Sequence, residues 1–275
     1  MRTLRRVVPL VAGLALLAAN AGCQWPDGTR YVHKVFTDVE VTRDIVYSST
    51  TDYQGNPIEL KLDIYRPVGD TATNRPAVMW MYGGGFTSGD KNQLASYADD
   101  SAKRGYVGVA INYRLRATAD IGAIIDAWTD SANAVAWLKA HAADYGINPD
   151  VIIAAGYSAG AVNAVHLLYL SDPSPVAGAV AIAGFTPVAP TAGDPPVIMH
   201  QGLNDTIVSP SSSQGTCDAT RNAGNVCLYH TYPSDHLMTF IEPYATQIKD
   251  ISATDMFEQI LLQHGYEPEQ LPAAA

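Results

Sequence analysis

Basic residues are scarce in this chain. Its 275 residues carry 17 Lys and Arg against 27 Asp and Glu, a formal net charge of −10. No basic run occurs beyond the N-terminus, and basic and aromatic residues do not interleave. A nucleic-acid surface needs a positive field and stacking rings, so the sequence excludes nucleic acid as a partner. Charge of either sign is sparse, at 16% against 47% apolar residues, which excludes a disordered chain and implies a globular one. No internal repeat and no second domain is visible. The length suits one α/β domain with a sizeable core.

A comfortable membrane span is missing too. The apolar stretch at residues 7–19 is too short for one and is broken by Pro9 and Gly13. Arg2, Arg5 and Arg6 precede it, and Ala19-Asn20-Ala21 follows as an A-x-A cleavage site. Residues 1–21 therefore read as a signal peptide, and the protein as exported. Cysteine is rare, with three in all. Cys217 and Cys227 are predicted to pair across a polar segment in an oxidising compartment, leaving Cys23 over. Ala21-Gly22-Cys23 resembles the end of a bacterial lipobox, with Asn20 where that pattern usually has Leu. Secretion is the first reading and a lipid anchor at Cys23 the alternative.

Residues 22–43 show no clear period and read as a loosely packed lead-in. Residues 44–275 read as the single folded domain. Residues 58–65 alternate apolar and polar, and with residues 44–47 they predict an antiparallel hairpin. Continuous apolar strands are expected at 77–82, 107–112 and 151–155, and further strands at 176–183, 196–201 and 226–231. Helices are expected at 93–104, 119–145, 159–170, 239–251 and 254–264. Strands alternating with helices give an α/β class, with a mostly parallel sheet, an antiparallel start and helices on both faces.

The strand at 151–155 runs into Gly156-Tyr157-Ser158-Ala159-Gly160. By itself G-x-S-x-G is weak, since an ordinary turn satisfies it. Between a buried strand and a helix it reads as a nucleophile elbow, with Ser158 exposed above the sheet. A serine hydroxyl needs a base, and the base needs an orienting acid. In such a fold these follow in the order acid, then histidine, on loops after later strands. Asp205 and His236 occupy those loops. His200 and His230 lie within strands, His166 lies two turns along the helix after Ser158, and His33, His141 and His264 lie on peripheral segments. Asp235 adjoins His236 too closely to hold its far nitrogen, and Asp194 lies at the wrong end of its strand. Gly83-Gly84-Gly85 directly follows a strand, where main-chain N–H groups could approach a developing oxyanion. The Ala159 N–H, next after the nucleophile, should join them.

Together these residues resemble the α/β-hydrolase carboxylesterases, in the branch of hormone-sensitive-lipase-like and feruloyl-esterase-like secreted esterases. The resemblance runs from about residue 44 to residue 264. It includes Leu62-Asp63-Ile64-Tyr65-Arg66-Pro67, the glycine segment, Asn112-Tyr113-Arg114-Leu115, the elbow, His200-Gln201-Gly202-Leu203-Asn204-Asp205 and Asp235-His236. It implies an α/β-hydrolase fold and a serine carboxylesterase acting on a small-molecule or polymer-borne ester. Ser158, Asp205 and His236 would be its triad, and Gly84, Gly85 and Ala159 its oxyanion donors. No metal or organic cofactor is needed. The chain departs from the family at Tyr82, where His usually precedes the glycines, which puts the loop geometry in question. The short segment at 184–195 leaves no room for a large cap, while residues 24–43 could supply a small cover. The rival readings are a serine peptidase of prolyl-oligopeptidase type and a catalytically silent surface binding protein.

Overall fold

Eight strands form one sheet in the order β1-β2-β4-β3-β5-β6-β7-β8. They are β1 (Val39–Thr51), β2 (Pro57–Pro67), β3 (Arg75–Met81), β4 (Val107–Ile111), β5 (Ile147–Tyr157), β6 (Gly178–Ile182), β7 (Val197–Gly202) and β8 (Cys227–Tyr232). Strands β1, β2 and β4 pair antiparallel, and every other neighbouring pair is parallel. The computed structural model describes residues 25–170 and 173–271. The expected signal peptide and Cys23 lie outside the described residues. No helix among the described residues is long and apolar enough to cross a membrane.

The central strands are apolar on both faces because both faces are covered. Ala77, Met79 and Met81 of β3 join one core, while Val78 and Trp80 join the other. Helices α2 (Ile121–Ala140), α3 (Ala142–Tyr145) and α4 (Ala159–Tyr169) cover the first, with Leu138, Ala142, Val165 and Leu168 turned inward. Helices α1 (Ala95–Lys103) and α6 (Tyr244–Met256) cover the second, through Tyr97, Ala98, Ile248 and Met256. Each fully buried aliphatic side chain contributes roughly 1.5–3 kcal/mol relative to exposure. The chain steps from β3 to β4 in one direction, then crosses back to place β5 on the other side of β3. Such a reversal opens a crevice at the carboxyl ends of the two strands. The loops after β3 and β5 carry Gly83–Gly85 and Ser158.

Three sequence expectations change. From residue 25 on, the lead-in is not loose, and it does not cover the site. Tyr31, Val32 and Val35 are buried, and β1 already begins at Val39. Arg30 pairs with Asp70, and Tyr31 packs on Tyr106 at 5.0 Å between ring centroids. Both partners directly precede parallel strands, so the segment closes the amino ends of the sheet, opposite Ser158. The two expected terminal helices are continuous, since α6 runs directly into further helical turns to His264. Finally, α5 (Pro210–Asn222) was not expected. Ser209 caps it and Pro210 opens it, but its buried face is Ser213, Thr216, Cys217 and Thr220, which shows no apolar stripe.

Cys217 on this helix is bonded to Cys227 at the start of β8. The link closes a short loop, and its removal in a Cys217→Ala, Cys227→Ala variant is expected to cost about 3 kcal/mol. Thermal unfolding should then fall by roughly 6–10 °C. An unchanged Tm would show that α5 is held without the covalent tie.

Candidate active site

Ser158 sits where β5 turns into α4, with φ of 53° and ψ of −120°. That backbone is costly for a residue with a Cβ and persists only when its surroundings fix it. The Ser158 N–H donates to Ile182 O at 2.9 Å, and its carbonyl accepts from Val162 N at 3.0 Å. The turn is tight because Gly160 lies against β3. A Cβ there would meet Met81 O at 2.0 Å, so alanine has no room.

The structure brings Ser158, His236 and Asp205 into one hydrogen-bonded chain. Strand β7 ends at Gly202, and Asp205 follows in the next turn. Its Oδ1 accepts from the N–H groups of Ile207 and Val208 at 2.8 and 2.9 Å. Its Oδ2 lies 2.7 Å from His236 Nδ1. A carboxylate only accepts, so Nδ1 carries the proton and Nε2 offers a lone pair. That lone pair faces Ser158 Oγ at 3.0 Å. His236 opens a short 3-10 helix (His236–Phe240) capped by Asp235, which accepts from Leu237 N at 2.9 Å. All three side chains are buried.

The loop after β3 approaches from the other side. A Cβ on Gly83 would lie 3.0 Å from Ser158 Cβ, so the two backbones are close. Among the described residues the N–H groups of Gly84 and Gly85 have no acceptor. Ala159 is the first residue of α4, and its N–H is one that a helix leaves unsatisfied. The Ala159 N–H lies at the amino end of α4, next to Ser158, where a negative oxygen would be favoured.

Residues 62–174 match the BD-FAE family model. Phenmedipham hydrolase of Pseudarthrobacter oxydans is 34% identical over 113 residues, 39% of this chain and 22% of that protein. LipM of Mycobacterium tuberculosis, a probable carboxylic ester hydrolase, is 32% identical over 165 residues, 59% of this chain and 36% of that protein. The chain therefore spans no more than 36% of the length of either relative. Among solved structures, the butyrate-bound esterase Est2 of Thermogutta terrifontis matches with a TM-score of 0.70 at 23% identity, covering 80% of this chain and 94% of that one.

The chain has the α/β-hydrolase fold and is similar in sequence to carboxylic ester hydrolases.

The other histidines of this chain have partners of their own or lie elsewhere. His200 is buried, with Nδ1 2.8 Å from Tyr232 Oη and Nε2 2.9 Å from Ser252 Oγ. Burial holds its pKa well below the ordinary value. His230 pairs with Asp255 at 2.6 Å, and His141 with Asp144 at 3.0 Å. His264 faces the Ile260 carbonyl at 2.9 Å. Asp194 accepts from Thr191 N in a turn preceding β7.

His166 lies flat on Trp128, with ring centroids 3.3 Å apart and no partner for either nitrogen among the described residues. Burial pushes its pKa from 6.5 down to about 4. The native state then binds fewer protons than the unfolded one between these values, so stability falls as pH drops through that window. The loss reaches at most about 1.4 kcal/mol per pH unit. His200 acts in the same direction. His166→Phe keeps a ring on Trp128 and removes one titration, so its Tm should fall less steeply than that of the parent between about pH 7 and about pH 4.5. Identical slopes would refute this account.

Sequence reasoning missed the residues that hold the acid. Gln201 is fully buried at the end of β7, and its Nε2 donates to Asp205 Oδ2 at 3.2 Å and to Val208 O at 3.1 Å. The acceptors around this nitrogen, Gly202 O at 3.1 Å among them, fix the amide with its nitrogen toward Asp205, and the Ser213 hydroxyl of α5 lies between Gln201 Oε1 at 2.5 Å and Gly184 O at 2.7 Å. Thr239, in the turn after His236, donates to Tyr97 Oη at 2.7 Å and ties that turn to α1. A buried amide beside an acid is a weak signal in the sequence, and Ser213 carries none.

Proposed function

We propose that this hydrolase is a serine carboxylesterase that works through an acyl-enzyme. One observation carries the reading: Ser158, His236 and Asp205 form a continuous hydrogen-bonded chain at a strained turn. Ser158 Oγ attacks the ester carbonyl carbon while its proton passes to His236 Nε2. The carbonyl oxygen becomes an oxyanion and accepts from Gly84, Gly85 and Ala159, each donor being worth roughly 3–4 kcal/mol. The tetrahedral adduct collapses, and the alcohol leaves with the proton from His236. Water then attacks the acyl-enzyme, giving its proton to His236, and the acid leaves as Ser158 is re-protonated. Asp205 holds the imidazole tautomer throughout and is not itself protonated.

The substrate reading is an ester of a short to medium or aromatic acyl group, small or carried on a polymer. The β6–β7 connection contains no helix or strand, so it supplies no cap. Exposed Phe185, Leu203, Ile207, Leu237 and Phe240 all lie on loops after β6, β7 and β8, on the same edge as Ser158. An open apolar rim suits an ester presented from outside better than a long buried chain. Export is part of the proposal and rests on residues 1–21, with an anchor at Cys23 as its variant.

The test is hydrolysis of p-nitrophenyl acetate, butyrate and octanoate, with fluorophosphonate labelling alongside. Turnover on the shorter esters and labelling at Ser158 are expected. A folded protein that neither turns over nor labels would be a silent binder. Faster cleavage of amides than of esters would move it to the peptidases.

A further inference from the structure

We propose that Tyr82, Tyr113 and Gln93 clasp the oxyanion loop and act as positioning residues for the reaction. The inference rests on the serine-esterase reading and adds what holds its donors in place. Tyr82 follows β3 and Tyr113 follows β4, and their rings stack 4.2 Å apart at 7°. Each hydroxyl donates to the other residue's carbonyl: Tyr82 Oη to Tyr113 O at 3.0 Å, and Tyr113 Oη to Tyr82 O at 2.7 Å. Both side chains are buried. Two phenylalanines would fill similar volume without burying hydroxyls, so the polar atoms call for an explanation.

The hydroxyl of Tyr113 ends on the carbonyl that opens the glycine loop. The Tyr82–Gly83 peptide group is planar. Tyr113 holds its oxygen, and Gln93 Oε1 accepts its N–H at 2.7 Å. Its plane is therefore fixed from both ends. Two peptides further on, Gly84 O accepts from Thr87 N at 3.1 Å and Ser88 N at 3.2 Å. Because that peptide is planar too, the Gly85 N–H points away from these partners. Gly84 has φ of +123°, and a Cβ there would meet Ser88 O at 2.1 Å, so the loop has little freedom to re-form with another residue. Tyr82 O, the Gly83 N–H and Gly84 O are each engaged, and the Gly84 and Gly85 N–H groups are what remains for the oxyanion. Tyr82, where the family has His, supplies half of a reciprocal pair whose other half does the aiming.

Oxyanion donors act only when they are pre-aimed, and losing one outright costs about 10²–10³ in kcat. Tyr113→Phe keeps the ring and loses one anchor. Its kcat on p-nitrophenyl butyrate is expected to fall about tenfold, with KM within about twofold of the parent. An alkylboronic acid, which forms a tetrahedral adduct on serine, should bind the variant weaker by the same factor. Gln93→Met should behave alike, and Gln93→Glu, which keeps an acceptor for the Gly83 N–H, should recover most of the loss. Full kcat in both Tyr113→Phe and Gln93→Met would overturn the clasp. So would a loss of kcat with boronate affinity unchanged. An inactive parent chain would instead sink the esterase reading itself, so the two failures are told apart by the parent's turnover.

Discussion

Ester turnover by Ser158→Ala is expected to fall about a million-fold in kcat, to the small acceleration that binding and the oxyanion loop supply alone. The size follows from the chain of contacts. Without Oγ no acyl-enzyme forms, and His236 Nε2, now 3.0 Å from nothing that can attack, has only water to activate. Replacing His236 by Ala should cost nearly as much, and the double variant little more, because the two act as a unit. Alanine also relieves the hydroxyl of its buried place without opening a cavity, so Tm should hold. A residual rate within a hundredfold of the parent would mean that another group is the nucleophile. Mass spectrometry of the fluorophosphonate adduct would then locate it.

Asp205→Asn should lower kcat about ten-thousand-fold at neutral pH with the fold intact. The amide has two ways to lie, and its surroundings choose between them. The Ile207 and Val208 N–H groups donate to Oδ1 at 2.8 and 2.9 Å, so that position demands an acceptor. The amide nitrogen is thereby turned toward His236 Nδ1. A donor facing Nδ1 forces it to accept, and the imidazole proton moves to Nε2. Nε2 then meets the Ser158 hydroxyl as a donor and cannot take its proton. Gln201 Nε2, fixed by the Gly202 and Val208 carbonyls, also faces the new amide as a donor and weakens the site further. The check is kcat for p-nitrophenyl butyrate beside a Tm. A loss under tenfold would show that Asp205 does not set the tautomer.

The elements that the sequence revealed are those whose side chains repeat with their own backbone. Residues 151–155 are apolar because β5 is covered on both faces, and residues 58–62 alternate because the outer half of β2 is not. At Asp63 the alternation misleads. It sits on the polar phase yet is fully buried, held by Lys91 Nζ at 2.9 Å and by the Asp44 N–H at 2.8 Å. Helix α5 stayed hidden because it buries hydroxyls and a cysteine, which no hydrophobic period marks.

By itself the sequence determined the α/β class and the strand-to-helix turn at Ser158, and it singled out Asp205 and His236, which the fold brings to Ser158. These follow from local periods and from chain order, which the backbone enforces within a few residues. Only the tertiary structure decided what those loops rest on. The strand order sets β5 beside β3, and so brings residue 158 against residue 83. It places Tyr113 under the glycine loop, Ser213 behind Gln201, and the lead-in at the far end of the sheet. Contacts between residues so far apart depend on how strands shuffle across the sheet. No spacing along the chain records that arrangement, because hydrogen-bond partners need only meet in space.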